Sequence, residues 1–164
     1  MPAKPVQISI DSELLRRYDV AGPRYTSYPT APQFSAAFGE RELRQAISVT
    51  NDDPIPRSLS VYVHVPFCRS ACFYCGCNRV ISQDRARGEA YLVRLYHEVE
   101  LTASLIDRDR EVVQLHFGGG TPTVLPSSDL VRVLREVDAL FGLAADAEVT
   151  TEANPDSVTG ESLV

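Results

Sequence analysis

Three β-branched, apolar runs separated by helical patterns constrain the fold of this 164-residue chain more than any other feature. Residues 58–65 are β-branched and aromatic and read as a buried strand. Residues 88–107 form an amphipathic pattern, with Leu92, Leu95, Val99, Thr102 and Ile106 at helical spacing. Residues 112–117 are the next strand. Ser127 is placed to cap a helix carrying Leu130, Val131, Leu134, Val137 and Phe141. Residues 147–153 are a third strand, and Thr159 is set to open a third helix. This alternation predicts an α/β fold with parallel strands.

A motif follows each strand. The first strand runs into C-R-S-A-C-F-Y-C-G-C, which holds all four cysteines of the chain, Cys68, Cys72, Cys75 and Cys77. The second ends in G-G-G-T-P and the third in E-A-N-P-D. Parallel α/β folds collect function in the loops at the strands' carboxyl ends, so the three motifs belong on one rim. Disulfides that staple a fold are spread to tie distant segments, which this clustering does not do. Cysteines spaced C-x3-C-x2-C suit a metal or iron–sulfur loop. Four close thiols also suit zinc, and on spacing alone both readings stand.

The preceding residues are of a different kind. Residues 1–11 are polar and proline-bearing. Residues 11–19 carry a short helical signal with Leu14, Leu15 and Tyr18 on one side. The segment 21–32, with a glycine, three prolines and two tyrosines, is expected to be ordered but irregular, lying over other structure. Residues 38–48 predict a helix with Leu43, Ala46 and Ile47 facing inward, and 51–57 a linker. Two regions follow: 1–57, helical and irregular, and 58–164, the β/α core.

A net charge of −6 argues against non-specific binding to nucleic acid or to an anionic membrane. No signal-peptide core or membrane-length apolar run is present, so a cytoplasmic location is expected, where thiols stay reduced. A monomer is expected.

The motifs together carry a resemblance. The C-x3-C-x2-C loop resembles the signature of the radical S-adenosylmethionine (SAM) superfamily. The runs V-Y-V-H-V-P-F-C-R-S-A-C-F-Y-C-G-C-N, Q-L-H-F-G-G-G-T-P-T-V-L and E-A-N-P-D look like those of the oxygen-independent coproporphyrinogen III oxidase family. So does R-Y-T-S-Y-P-T-A-P-Q-F at residues 24–34. The likeness extends from Ser12 to the last residue.

That resemblance implies roles. Cys68, Cys72 and Cys75 would ligate a [4Fe–4S] cluster whose fourth iron is chelated by SAM. Cys77 matches an extra family cysteine that is not a ligand. Gly119, Gly120 and Thr121, with Tyr62, Tyr74 and Glu152, match positions that contact SAM. Without the family, Tyr62 reads as core packing and Glu152 as a solvated loop carboxylate. His64 and His116 read as satisfied structural residues and His97 as a solvated one. Arg24 is a candidate to meet a substrate carboxylate, whereas Arg16 and Arg17 read as surface residues.

The implied reaction is oxidative decarboxylation of two propionates of coproporphyrinogen III to vinyl groups, giving protoporphyrinogen IX in haem biosynthesis. The electron donor and acceptor are not identified by any motif. A haem-binding relative within the superfamily and a non-catalytic metal-binding module are the alternatives. The family's core is a partial barrel of six β/α units, of which three strands and two complete helices are legible here. The expectation is therefore the N-terminal half of such a barrel, part of a longer enzyme.

Overall fold

The computed structural model describes residues 11–19, 30–73, 75–155 and 158. It divides into two compact units, Met1–Phe38 and Gly39–Val164.

In the first unit, helix α1 spans Ser12–Tyr18. The Asp11 carboxylate accepts from the backbone N–H of Glu13 at 2.8 Å and of Leu14 at 3.2 Å. It thereby satisfies two donors that a helix start leaves without partners. No residue of α1 is buried, so Leu14, Leu15 and Tyr18 all stand exposed. A 3-10 turn follows at Ala31–Gln33. Most of the tyrosine- and proline-rich segment, with Arg24, lies outside the described residues.

The second unit opens with helix α2, Glu40–Asn51. The inward face expected of it is not formed. Leu43 is exposed, as is Ala46, and Ile47 is only half-buried. The reason is that α2 is held by a polar latch at its end rather than by an apolar stripe. Arg110, 9% exposed, donates from Nε to the Arg57 carbonyl at 2.9 Å and from Nη1 to Thr50 Oγ1 at 3.1 Å. Asn51 Nδ2 donates to the Leu105 carbonyl at 2.8 Å. Hydrogen bonds from a charged donor contribute about 1.5–3 kcal/mol each, and buried partners left unpaired cost more than exposed ones. Arg110→Met should therefore lower unfolding stability by about 2–3 kcal/mol, read as a lower urea midpoint at unchanged slope. An unmoved midpoint would show that the latch contributes nothing.

Strands β1 (Leu59–Val65), β4 (Val112–Gly119) and β5 (Leu143–Thr151) form a parallel sheet in the order β1-β4-β5. Helix α3 (Arg85–Ala103) and helix α4 (Ser127–Phe141) make the crossovers. Asp84 caps α3 by accepting from Ala86 N at 3.0 Å. Ser127 does not cap α4. Pro126 holds that position, extended at φ −54° and ψ 143°, without a side-chain bond, and Ser127 is the first helical residue. Proline's fixed φ suits the entry, and its missing N–H is not needed there.

Alternation along the strands separates two faces. Val63 and Val65 of β1 and Leu115 and Phe117 of β4 pack against Leu92 and Val99 of α3 and Val133 and Val137 of α4. The opposite face is polar. There Ser60 pairs with Gln114, Tyr62 with His116, and His116 with Thr150. Both helices lie on the apolar face, and β1 and β5 are the two edges of the sheet rather than partners, so it is open, as in a partial barrel. The third expected helix, from Thr159, lies outside the described residues.

A second pairing was not legible in the sequence. Two-residue strands β2 (Phe67–Cys68) and β3 (Val80–Ile81) run parallel, with Val80 N donating to Pro66 O at 2.7 Å and Ser82 N to Cys68 O at 3.0 Å. They close the cysteine loop at both ends. Among the described residues, no helix is long and apolar enough to cross a membrane.

Candidate functional site

The three motifs meet at the carboxyl ends of β1, β4 and β5. β4 extends two residues past the expected end, through Gly118 and Gly119. Beyond it, Gly120 N donates to Val65 O and Thr121 N to Phe67 O, each at 2.8 Å. The glycine segment thus runs directly beside the start of the cysteine loop. Gly119 has φ +113°, a backbone region that glycine alone enters without strain. A Cβ on Gly120 would lie 2.6 Å from the Phe67 carbonyl oxygen and 3.0 Å from Cys68 Sγ. Only a residue without a side chain permits that approach.

All four cysteines are free thiols: Cys68 is buried, Cys75 half-buried, Cys72 and Cys77 exposed. Cys68 Sγ accepts from Thr121 Oγ1 at 3.5 Å, and Cys75 Sγ accepts from Arg79 Nε at 2.7 Å. The Cys77 backbone N–H, and after it the Arg79 guanidinium, hold the Cys75 thiol below its usual range. Partial desolvation, then the neighbouring Cys75, push Cys77 upward. Cys75 is thereby disposed toward the thiolate that binds metal and Cys77 toward the thiol. Among the described residues, no three His, Cys, Asp or Glu side chains stand together at metal-holding geometry. The donor set nonetheless fits an iron–sulfur cluster. It consists of unpaired thiols on one loop pinned at both ends, two of them receiving side-chain hydrogen bonds of the kind that surrounds cluster sulfurs.

Beside the loop lies the polar face of the sheet. Tyr62 stacks on His116 with ring centroids 5.7 Å apart and bonds His64 Nδ1 through its hydroxyl at 3.1 Å. At 57% exposure Tyr62 is not a core residue. Glu152, the first residue after β5, accepts from Gly119 N through Oε2 at 3.1 Å and faces His116 Nε2 at 3.6 Å. His116 also bonds Thr150 Oγ1 at 2.6 Å. His64 Nε2 reaches the Asn78 carbonyl at 2.9 Å, tying β1 to the cysteine loop. Desolvation, then Glu152 and Cys77, raise the Tyr62 hydroxyl above its usual range. Tyr74 lies outside the described residues.

His64 and His116 are thus part of this cluster, although single strand histidines carry no such signal in sequence. The two-residue spacing of Tyr62 and His64 was the available clue for His64, since alternate residues of a strand share a face, whereas the register that sets His116 opposite Tyr62 emerges only in the sheet.

Comparison with known proteins decides the family. The radical SAM superfamily matches residues 62–163. Oxygen-independent coproporphyrinogen III oxidase from Mannheimia haemolytica is 39% identical over 149 residues, covering 91% of this chain and 99% of that protein. The chain belongs to the oxygen-independent coproporphyrinogen III oxidase family of radical SAM proteins. The Pseudomonas aeruginosa member is 45% identical over 136 residues, 83% of this chain and 29% of its own length. The solved structure of coproporphyrinogen III oxidase from Escherichia coli, described as a radical SAM enzyme, superposes with a TM-score of 0.75 at 38% identity. It covers 93% of this chain and 32% of its own. The chain therefore spans about a third of the length of these two larger relatives. Radical SAM proteins in general use a [4Fe–4S] cluster and SAM.

Proposed function

We propose that this chain carries the cluster-binding and SAM-binding part of an oxygen-independent coproporphyrinogen III oxidase, an oxidoreductase of haem biosynthesis. The observation that carries the reading is the meeting of the cysteine loop, the glycine segment and Glu152 at the ends of three parallel strands. Cys68, Cys72 and Cys75 would hold the cluster. Bound there with SAM, it supplies the one-electron chemistry by which coproporphyrinogen III propionates become vinyl groups.

The chain's own residues bind and orient. Gly119 and Gly120 leave the backbone open for a ligand to approach beside Cys68. Glu152 offers carboxylate oxygens to ribose hydroxyls, as acidic residues do at strand ends of nucleotide-binding folds. Tyr62 offers an aromatic face and a hydroxyl, and Tyr74 is assigned to the same cofactor by its match to the family position. Thr121 supports Cys68. Arg24 is assigned to a carboxylate of the substrate. Cytoplasmic residence and a monomeric state complete the proposal, with no nucleic acid or membrane as partner.

The test is anaerobic reconstitution with iron and sulfide, reduction, addition of SAM and assay for 5′-deoxyadenosine. The product is expected with the wild-type chain and not after Glu152→Ala and Gly119→Ala are combined. A chain that shows a four-iron signal yet makes no 5′-deoxyadenosine would refute the claim that these residues suffice for cofactor cleavage. Uptake of zinc alone would refute the cluster reading itself.

A further inference from the structure

Arg79 is the arginine that bonds a cysteine sulfur among the described residues, with Nε 2.7 Å from Cys75 Sγ. Its position is fixed from both sides. Asn78 before it is tied through its carbonyl to His64 Nε2 at 2.9 Å, and Val80 after it donates to Pro66 O at 2.7 Å. The bond between Arg79 and Cys75 is part-buried. The guanidinium's electrostatic reach includes Cys68 and Cys72 as well as Cys75. One cation, held in place at both flanks, therefore bonds a cysteine assigned to the cluster.

We infer that Arg79 sets the reduction potential of the cluster by a charge-assisted N–H···S bond to Cys75. Reduction adds one electron, and so one negative charge, to the cluster and its thiolates. A donor hydrogen bond and a nearby positive charge stabilise the more negative, reduced form, which raises the potential. Arg79 does not touch a reacting atom and is a positioning residue that acts through a ligand sulfur. The inference rests on the cluster-binding reading of the cysteines.

The test is an anaerobic redox titration followed by electron paramagnetic resonance, on wild type, Arg79→Gln and Arg79→Lys, each reconstituted with iron and sulfide and matched for iron content. Arg79→Gln should lower the equilibrium constant for reduction about tenfold, a shift of ~59 mV to more negative potential for a one-electron couple. Arg79→Lys keeps the charge and loses the planar fork, so its potential should fall between the two. An Arg79→Gln potential equal to wild type overturns the inference while leaving the cluster reading intact. If only Arg79→Lys retains a cluster, a potential equal to wild type overturns it likewise. Failure of both variants to hold a cluster overturns it too, because Arg79 would then be needed for assembly. A wild-type chain that takes up no four-iron cluster removes the cluster reading and this inference together.

Discussion

Cys72→Ser is expected to remove the four-iron absorption of the reconstituted chain and with it all cleavage of SAM. Cys72 is exposed at the middle of a loop whose ends are closed by β2 and β3. The remaining thiol of the loop, Cys77, is exposed and matches the family cysteine that is not a ligand. Loss of a residue that merely supports a metal ligand costs about 10–100-fold in affinity, so loss of a direct ligand should exceed ~100-fold. Cys77→Ser is the matched control and should retain the cluster. Iron and sulfide content with the ultraviolet–visible spectrum separate the outcomes. A Cys72→Ser chain with full cluster content would remove Cys72 from the ligand set, and a Cys77→Ser chain without a cluster would put Cys77 into it.

Gly120→Ala is expected to destabilise the chain and loosen the cysteine loop together. The new Cβ would meet the Phe67 carbonyl oxygen at 2.6 Å, the Pro66 carbonyl carbon at 2.9 Å and Cys68 Sγ at 3.0 Å. Two of the three are backbone atoms that cannot swing aside. Moving them would break the bonds from Thr121 N to Phe67 O and from Val80 N to Pro66 O. Overpacking of this kind costs about 1–3 kcal/mol, and here it also displaces a cysteine assigned to the cluster. A fall in thermal midpoint and a fall in bound iron should therefore appear together. Gly88→Ala gives the contrast. Its Cβ would lie 3.3 Å from the flexible end of Leu125, and a helix interior favours alanine by about 1 kcal/mol. That variant should stay within about 1 kcal/mol of wild type, and a Gly120→Ala chain equally close to wild type would show that the glycine segment is not tightly held.

Much of the fold is legible in the sequence because periodicity reports burial directly. The strand at β1 and the helix through Leu92 and Val99 repeat at the periods that one-sided packing demands. Boundaries were less legible. Ser127 has a capping residue's chemistry, yet Pro126 takes the position, because the extended φ and ψ before a helix suit proline as well as serine. α2 misled in another way. Its apolar residues are spaced for a helix, but spacing cannot say whether a surface is available to cover them, and the latch on Arg110 anchors the helix by polar bonds instead.

The sequence by itself determined the chemistry and its order along the chain: clustered thiols, glycines and an acidic residue, each after a strand. Only the tertiary structure decided which groups touch. Parallel pairing placed Tyr62 beside His116 and His116 beside Thr150. The short β2–β3 pair set Arg79 beside Cys75, and the bonds from Gly120 N to Val65 O and from Thr121 N to Phe67 O brought Gly120 against Cys68. The physical reason is that local pattern encodes which face of an element avoids water, whereas a contact between residues far apart in sequence depends on register. Register follows from matching the buried faces of paired strands, and that matching exists only in the assembled sheet.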